Sequence, residues 1–154
     1  MKKEILLKVK EILDNDVNLS YLEAVEVSML AKATSLLNRA PFVIVTAGRT
    51  LRSESDAFNL EQVIFEVVLF VSQYDFEAGI AFLGTGSKKG ILDISEDIIK
   101  SLKGNKTLDC LVEIMYEDIE SHYLETTEDK YNESWASYFI IVKYRLLQSD
   151  EFYH

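Results

Sequence analysis

The sequence predicts an α+β domain in which about two to three helices pack on a mixed, mostly antiparallel sheet of about four to five strands. The main observation is the run Leu60–Tyr74, which is rich in β-branched and aromatic residues and contains no Gly or Pro. A second observation is the helical stripe of Ile and Leu within Ile91–Lys103, with acids early and lysines late. The third is the alternating pattern of Ser134–Leu147. Leu60–Tyr74 is therefore the expected central strand.

Both faces of this expected strand are apolar. Every second residue from Val63 to Val71 belongs to one face, while Ile64, Val68 and Phe70 belong to the other. Such a strand needs cover on both sides, either from helices of its own chain or from another copy. Because the chain offers few helices, we expect the face with Ile64, Val68 and Phe70 to contact another subunit.

The composition fits a single domain spanning residues 1–154, since no repeat, low-complexity segment or linker interrupts it. Hydrophobic residues make up 48% of the chain, which also contains eight Tyr and eight Phe. A core can therefore form without disulfide bonds. The last residues, 148–154, are expected to be frayed.

The charge balance argues against nucleic acid as a partner. Sixteen basic and 26 acidic residues give a net charge of -10, whereas binding to a phosphate backbone needs clustered Lys and Arg. No apolar run approaches the roughly 18 residues of a membrane span, and no secretory signal is recognisable. We expect a protein of the cytoplasm with no membrane partner.

The first part of the chain predicts an amphipathic helix at residues 3–14, from apolar residues at helical spacing. A strand at Tyr21–Val27 and a short helix at Met29–Leu37 follow. A single helix over Ser20–Asn38 is the alternative, because Ala and Leu are frequent throughout.

The middle of the chain predicts a buried strand at Phe42–Val45, which begins after the only proline, Pro41, and stops near Gly48. The polar segment Thr46–Asn59 is then expected to be a long exposed loop.

The second half predicts a Gly-rich connection at Gly79–Gly90, the helix Ile91–Lys103, and strands at Leu108–Ile119 and Ser134–Leu147. The polar stretch Glu125–Glu133 is expected to separate these two strands.

A phosphate-binding loop is one candidate for chemistry, because Gly84–Gly90 precedes a helix. The spacing fits neither the Walker loop nor the dinucleotide fingerprint. We therefore expect an ordinary loop and no nucleotide cofactor.

A metal site is a second candidate, because Asp118, Glu120 and His122 would share one strand face. Many other acids surround them, which favours a solvated acidic surface. A nucleophile would need a positioned base, and the only imidazoles are His122 and His154. We expect no catalytic residue, metal or cofactor, and hence no enzyme.

Cys110 is the only cysteine, and its apolar neighbours predict a buried, inert thiol. Trp135, Tyr138 and Tyr144 are expected in the core, with an interface role as the alternative.

Arg49 and Arg52 are candidate interface residues, because an arginine in a polar loop can bind a carboxylate of a neighbouring subunit in a bidentate manner. A solvated loop without a partner is the alternative.

Several segments in order carry a family resemblance: the first helix with Asn15, then Ala40–Val45, the long strand, Gly90–Ile94 opening a helix that ends Ser101–Asn105, and Trp135 before a strand closing on Lys143–Arg145. This layout resembles the tail terminator and tail-completion proteins of long-tailed phages and prophages.

The resemblance implies a non-enzymatic α+β virion component that forms a ring, commonly a hexamer, at the head-facing end of the tail tube. Its implied partners are itself, tail tube protein and head-completion protein, and its place is the virion tail after assembly in the host cytoplasm. The strong acidity and the segment Thr46–Asn59 depart from that family. Two alternatives remain: a nucleotide- or metal-binding domain, and a bacterial adaptor that binds protein through its sheet edge.

Overall fold

Six strands and three α-helices make up the part of the chain that the computed structural model describes, residues 1–55, 60–128 and 133–147. The α-helices are α1 (Lys2–Asn15), α2 (Ala78–Leu83) and α3 (Ile91–Lys103), and 3₁₀ helices span Val17–Leu19 and Leu30–Arg39. The strands are β1 (Ala24–Val27), β2 (Phe42–Ser55), β3 (Leu60–Asp75), β4 (Ile114–Met115), β5 (Glu120–Glu128) and β6 (Glu133–Arg145). The predicted α+β class is confirmed.

All six strands belong to one mixed sheet, in the order β1-β2-β3-β6-β4, with β5 also paired to β6. β1 runs parallel to β2, and the other pairs are antiparallel. β4 and β5 pair with successive parts of the same side of β6. β3 lies between β2 and β6, so the prediction of a central strand at Leu60–Tyr74 is confirmed.

The main core lies between one face of this sheet and the helices α1 and α3. We call this face the inner face. Each helix buries one apolar stripe there, as expected from the spacing of its residues. A fully buried Ile or Leu contributes roughly 1.5 to 3 kcal/mol relative to an exposed one. The buried residues of the two helices are Ile5, Val9 and Leu13 of α1 and Ile91, Ile94, Ile98 and Leu102 of α3.

The strand followed by a helix before Pro41 is confirmed, and the alternative of one long helix is wrong. The helix is of the 3₁₀ type over Leu30–Arg39. Thr34 and Ser35 each donate their hydroxyl to the carbonyl three residues earlier, which competes with regular α-helical bonding. The peptide bond before Pro41 is cis.

The prediction of a loop at Thr46–Asn59 is wrong for residues 46–55, which continue β2. They pair with β3 up to Ser55 opposite Leu60, and residues 56–59 lie outside the described part. Local polarity suggested a loop, but backbone pairing with a strongly β-forming neighbour determines the structure.

Two predictions after α3 are also wrong. Residues 104–113 form turns, so only Ile114–Met115 of the expected strand Leu108–Ile119 is extended. The polar stretch expected at Glu125–Glu133 instead belongs to β5 as far as Glu128. Before α3, the expected Gly79–Gly90 connection contains most of α2. Residues 129–132 are not described.

The turn after α3 explains why Cys110 is exposed, contrary to the expectation of a buried thiol. Leu108, Asp109 and Cys110 have φ values of 49°, 57° and 69°. Asn105 holds this left-handed turn, because its amide donates to Asp109 Oδ1 at 2.9 Å and its oxygen accepts from the Asp109 N–H at 3.0 Å. The turn places Leu108 in the core and Cys110 in solvent.

The tail at 148–154, which we expected to be frayed, lies outside the described residues. Among the helices that are described, none has the length and apolar character needed to cross a membrane.

Candidate functional site: the outer face of the sheet

The face of the sheet opposite α1 and α3 is the candidate site, and we call it the outer face. The register of β3 with β6 places its side chains in cross-strand pairs. From one end of the sheet to the other, these pairs are Tyr74–Trp135, Ser72–Ser137, Phe70–Phe139, Val68–Ile141, Glu66–Lys143 and Ile64–Arg145.

Among the described residues, the best cover on the outer face lies on its β1–β2 side. There the second 3₁₀ helix, Leu30–Arg39, packs Leu36 against Ala24, Phe42 and Ile44. All four residues are buried. Val68, Phe70, Phe139 and Ile141 remain partly exposed on the β3–β6 side. The structure thus brings together the predicted contact residues Val68 and Phe70 and adds Phe139 and Ile141 beside them.

Aromatic rings extend this apolar surface in two groups. The Phe70 ring lies 6.3 Å from that of Phe42 and 5.0 Å from that of Phe139. At the end of β3, the centroid of the Tyr74 ring lies 4.9 Å from that of Trp135 and 5.8 Å from that of Phe76. Phe76 is 69% exposed. Packed ring pairs of this kind form rigid apolar surfaces, to which Tyr74 and Trp135 add polar groups, and such surfaces can anchor protein interfaces.

Ser72 and Ser137 form the floor between the two aromatic groups. Both are buried, and their hydroxyl oxygens lie 2.7 Å apart, so that one hydroxyl donates a hydrogen bond to the other.

An ion pair borders the apolar surface. Glu66 is 3% exposed, whereas the side chain of Arg49 is 70% exposed. Arg49 Nε donates to Glu66 Oε1 at 2.7 Å and its Nη2 donates to Oε2 at 3.1 Å, while its backbone N–H donates to Oε1 at 3.2 Å. Lys143 Nζ lies 3.9 Å from Oε2. The arginine therefore closes over a buried carboxylate of its own chain.

A β-bulge creates this geometry. The register of β2 with β3 shifts between Ala47 and Thr50, so that Gly48 and Arg49 together oppose Glu66. A Cβ on Gly48 would lie 2.9 Å from Glu66 Cβ and 3.0 Å from the Glu66 carbonyl oxygen. Glycine is therefore needed for the close approach of the two strands.

Electrostatics keep Glu66 ionised. The hydrogen bond from the Arg49 side chain holds the pKa of Glu66 below its ordinary value, although burial acts in the opposite direction. The same bond raises the pKa of Arg49. The pair is charged at neutral pH and makes this end of the outer face polar.

The predicted interface arginines differ in position. Arg49 makes its bidentate contact within its own chain, whereas the prediction assigned such a contact to a neighbouring subunit. Arg52 has an exposed side chain and pairs through its backbone with Val63. Ile64 lies at the same end of the outer face, opposite Arg145, and is partly exposed.

The three aromatic residues of β6 that were expected in the core, Trp135, Tyr138 and Tyr144, are divided between the core and the outer face. Tyr144 is fully buried and Tyr138 is partly buried against the main core, as predicted. Trp135 lies partly exposed on the outer face beside Tyr74. Burial raises the pKa of Tyr144, and its hydroxyl has no hydrogen-bond partner among the described residues.

Two glycines of the Gly84–Gly90 segment, Gly84 and Gly90, serve close backbone packing. Gly84 forms an antiparallel bridge with Lys89, and a Cβ on Gly90 would lie 2.4 Å from the Gly84 nitrogen. Thr85 Oγ1 accepts from the N–H groups of Ser87 and Lys88 at 3.3 and 3.1 Å. These N–H groups are therefore already bonded within the loop, and the loop is folded on itself.

The acids considered as metal ligands lie around β5. Glu120 and His122 share a face, as predicted, and both are exposed. Glu120 Oε1 lies 3.7 Å from Lys143 Nζ. Within residues 1–55, 60–128 and 133–147, no group of three or more His, Cys, Asp or Glu side chains is arranged to hold a metal ion.

No protein-family model matches the chain, and no curated protein sequence matches it significantly.

Proposed function

We propose that this chain is a non-enzymatic structural protein of a phage or prophage virion, and that it forms a ring which closes or completes the tail tube at its head-proximal end. The observation that supports this most is the partly exposed apolar surface of Val68, Phe70, Phe139 and Ile141 on the outer face. A contiguous apolar surface of this kind is typical of a protein–protein contact.

A second copy of the chain is the proposed occupant of this surface. In a ring, each subunit uses one surface to contact the subunit ahead and a different surface to contact the one behind. The outer face supplies one of these two surfaces, with the aromatic rings as its anchors and the Arg49–Glu66 pair at its rim. The resemblance to tail terminators makes a hexamer the expected size.

The acidity of the chain fits this role. A net charge of -10 disfavours binding to DNA, because phosphates and carboxylates repel one another. An acidic ring at the end of a tail tube would let DNA pass without binding it. Tail tube protein and head-completion protein are the proposed partners on its two sides, within the virion tail.

Light scattering on the purified chain, alone and with tail tube protein, tests the proposal. We expect an assembled species that the change Val68→Glu removes, because a buried carboxylate at the contact would lack a partner. Val17→Glu is the matched control, since Val17 is 81% exposed outside the outer face and should tolerate the charge. A monomer that does not assemble with tail tube protein would contradict the proposal, as would assembly that survives Val68→Glu.

A further inference from the structure

The helix α2 exposes an apolar side. Its sequence, Ala78–Leu83, contains no polar side chain, and a helix that is apolar all round is normally buried. Within α2, however, only Ala81 is buried, and Leu83 is 63% exposed. An apolar helix face left in solvent is typical of a contact with another molecule.

The exposed side of α2 is open to a close approach. Gly79 and Leu83 each lie two residues from Ala81, so both lie on the side opposite to it, since each residue turns the helix by about 100°. A Cβ on Gly79 would meet no atom within 4 Å. Ala78, Gly79 and Leu83 are exposed, as is Glu77 at the helix cap. We call these four residues the α2 ridge.

The α2 ridge and the outer face lie on different sides of the subunit. Ala81 and Phe82 attach α2 to the main core, which lies on the inner face of the sheet. A two-fold contact presents the same side of each copy to its partner, so it cannot join these two surfaces. A contact between them is therefore head-to-tail, which is the kind of contact that a ring requires.

Charge favours the pairing of these two surfaces. Glu77 is exposed, and its carboxylate makes no hydrogen bond or ion pair within the described part of the chain. At the rim of the outer face, Arg49 uses Nε and Nη2 to bind Glu66, while its Nη1 bonds to none of the residues that the structure describes. A carboxylate from a second copy can accept a hydrogen bond from Nη1 there.

The spacing of the two surfaces also agrees. Glu77 and Leu83 are six residues apart, which is roughly 9 Å along a helix. On β3, Val68 and Phe70 lie two and four residues beyond Glu66, at roughly 7 and 13 Å along the strand. When α2 lies along β3 with Glu77 beside Arg49, Leu83 falls between Val68 and Phe70.

We propose that the α2 ridge of one subunit occupies the outer face of the next. Leu83 contacts the apolar surface of Val68, Phe70, Phe139 and Ile141, and Glu77 binds Arg49 at its rim. The inference rests on the proposed ring, and it supplies the second of the two surfaces that each ring subunit needs.

Light scattering on Leu83→Glu tests the proposal, under the condition that assembles the wild type. We expect a monomer, as for Val68→Glu, because either charge would lie in the same apolar contact. An equal mixture of the two variants should form a dimer and nothing larger. The intact outer face of Leu83→Glu then binds the intact ridge of Val68→Glu, and the two surfaces left over both carry a charge. Val17→Glu remains the control that assembles.

Two further variants test the ridge without a charge in its apolar part. Gly79→Gln places a long side chain in open space and should prevent assembly while leaving the fold unchanged. Glu77→Lys should weaken assembly roughly tenfold, because it loses a bond to a charged group. Glu96→Lys is the matched control, since Glu96 is exposed on α3 and the charge change is the same.

The outcomes separate this inference from the proposed function. A wild-type chain that never assembles would contradict both. If the wild type assembles and Val68→Glu does not, wild-type assembly of Leu83→Glu, Gly79→Gln or Glu77→Lys would overturn the inference alone. The same holds for a mixture that contains only monomers or forms complete rings. If Leu83→Glu fails to fold by circular dichroism, Gly79→Gln decides.

Discussion

The Arg49–Glu66 pair gives the sharpest test of how the outer face is built, through the change Arg49→Ala. The substitution removes the two guanidinium bonds to Glu66, at 2.7 and 3.1 Å, and leaves the backbone bond at 3.2 Å. Glu66 is 3% exposed in the wild type, and among the described residues only Lys143, whose Nζ lies 3.9 Å from Glu66 Oε2, would remain as a nearby cation.

The expected loss of stability is about 2 kcal/mol. Breaking a fully buried ion pair by removing one partner costs roughly 3 to 5 kcal/mol. The Arg49 side chain is mostly exposed, so its truncation admits water to Glu66. The loss of folding free energy should therefore be closer to the roughly 1 to 3 kcal/mol that an unsatisfied buried acceptor costs. For a chain of this size, about 2 kcal/mol lowers Tm by roughly 4 to 8 °C.

The loss should depend on pH in a defined direction. The pKa of Glu66 is lower in the folded protein than its ordinary value of 4.5, so its stabilising contribution is fully present above that value. It disappears as the pH falls through the lowered pKa and the carboxylate takes up a proton. Wild type and variant should therefore differ at pH 7 and converge in strongly acidic solution.

Urea unfolding at one fixed protein concentration measures this difference. Lys3→Ala is the control, because it removes one positive charge from an exposed position and should leave stability within about 0.5 kcal/mol of the wild type. Equal stability of Arg49→Ala and wild type at pH 7 would refute the reasoning, as would a difference that persists unchanged after Glu66 is protonated.

Two further substitutions and one labelling experiment have defined outcomes. Gly48→Ala should destabilise the chain by roughly 1 to 3 kcal/mol in urea unfolding, because its Cβ would lie 2.9 Å from Glu66 Cβ; wild-type stability would show that the bulge is absent. Tyr144→Phe should leave stability unchanged or raise it by about 1 kcal/mol, since the buried hydroxyl lacks a described partner; a marked loss would reveal a bond to that hydroxyl. Cys110 should react with a thiol reagent in the native state at the rate of an exposed thiol, and protection until unfolding would contradict the turn.

Sequence periodicity predicts those elements whose own residues carry the signal. α3 and β3 were predicted almost to the residue because a long apolar stripe fixes each of them. β5 was misplaced because its acids and threonines resemble a loop, and only pairing with β6 makes it a strand. The turn at Leu108–Cys110 was missed because three consecutive non-glycine residues rarely adopt positive φ.

The outer face was partly predictable. Ile64, Val68 and Phe70 follow from strand alternation, whereas Phe139 and Ile141 join them only through the register of β3 with β6. The partner of Arg49 depends on the bulge, which single-sequence reasoning did not place. Two signals could have found it: a glycine within a strand pattern at Gly48, and one carboxylate, Glu66, within an apolar strand.

Electron microscopy of the purified chain, alone and mixed with tail tube protein, tests the central claim most directly. The proposed function predicts closed rings of one subunit number, free or seated on the end of a tube, and their absence from the Val68→Glu preparation. Single small particles under both conditions would contradict it, as would rings in which Val68 and Phe70 face solvent.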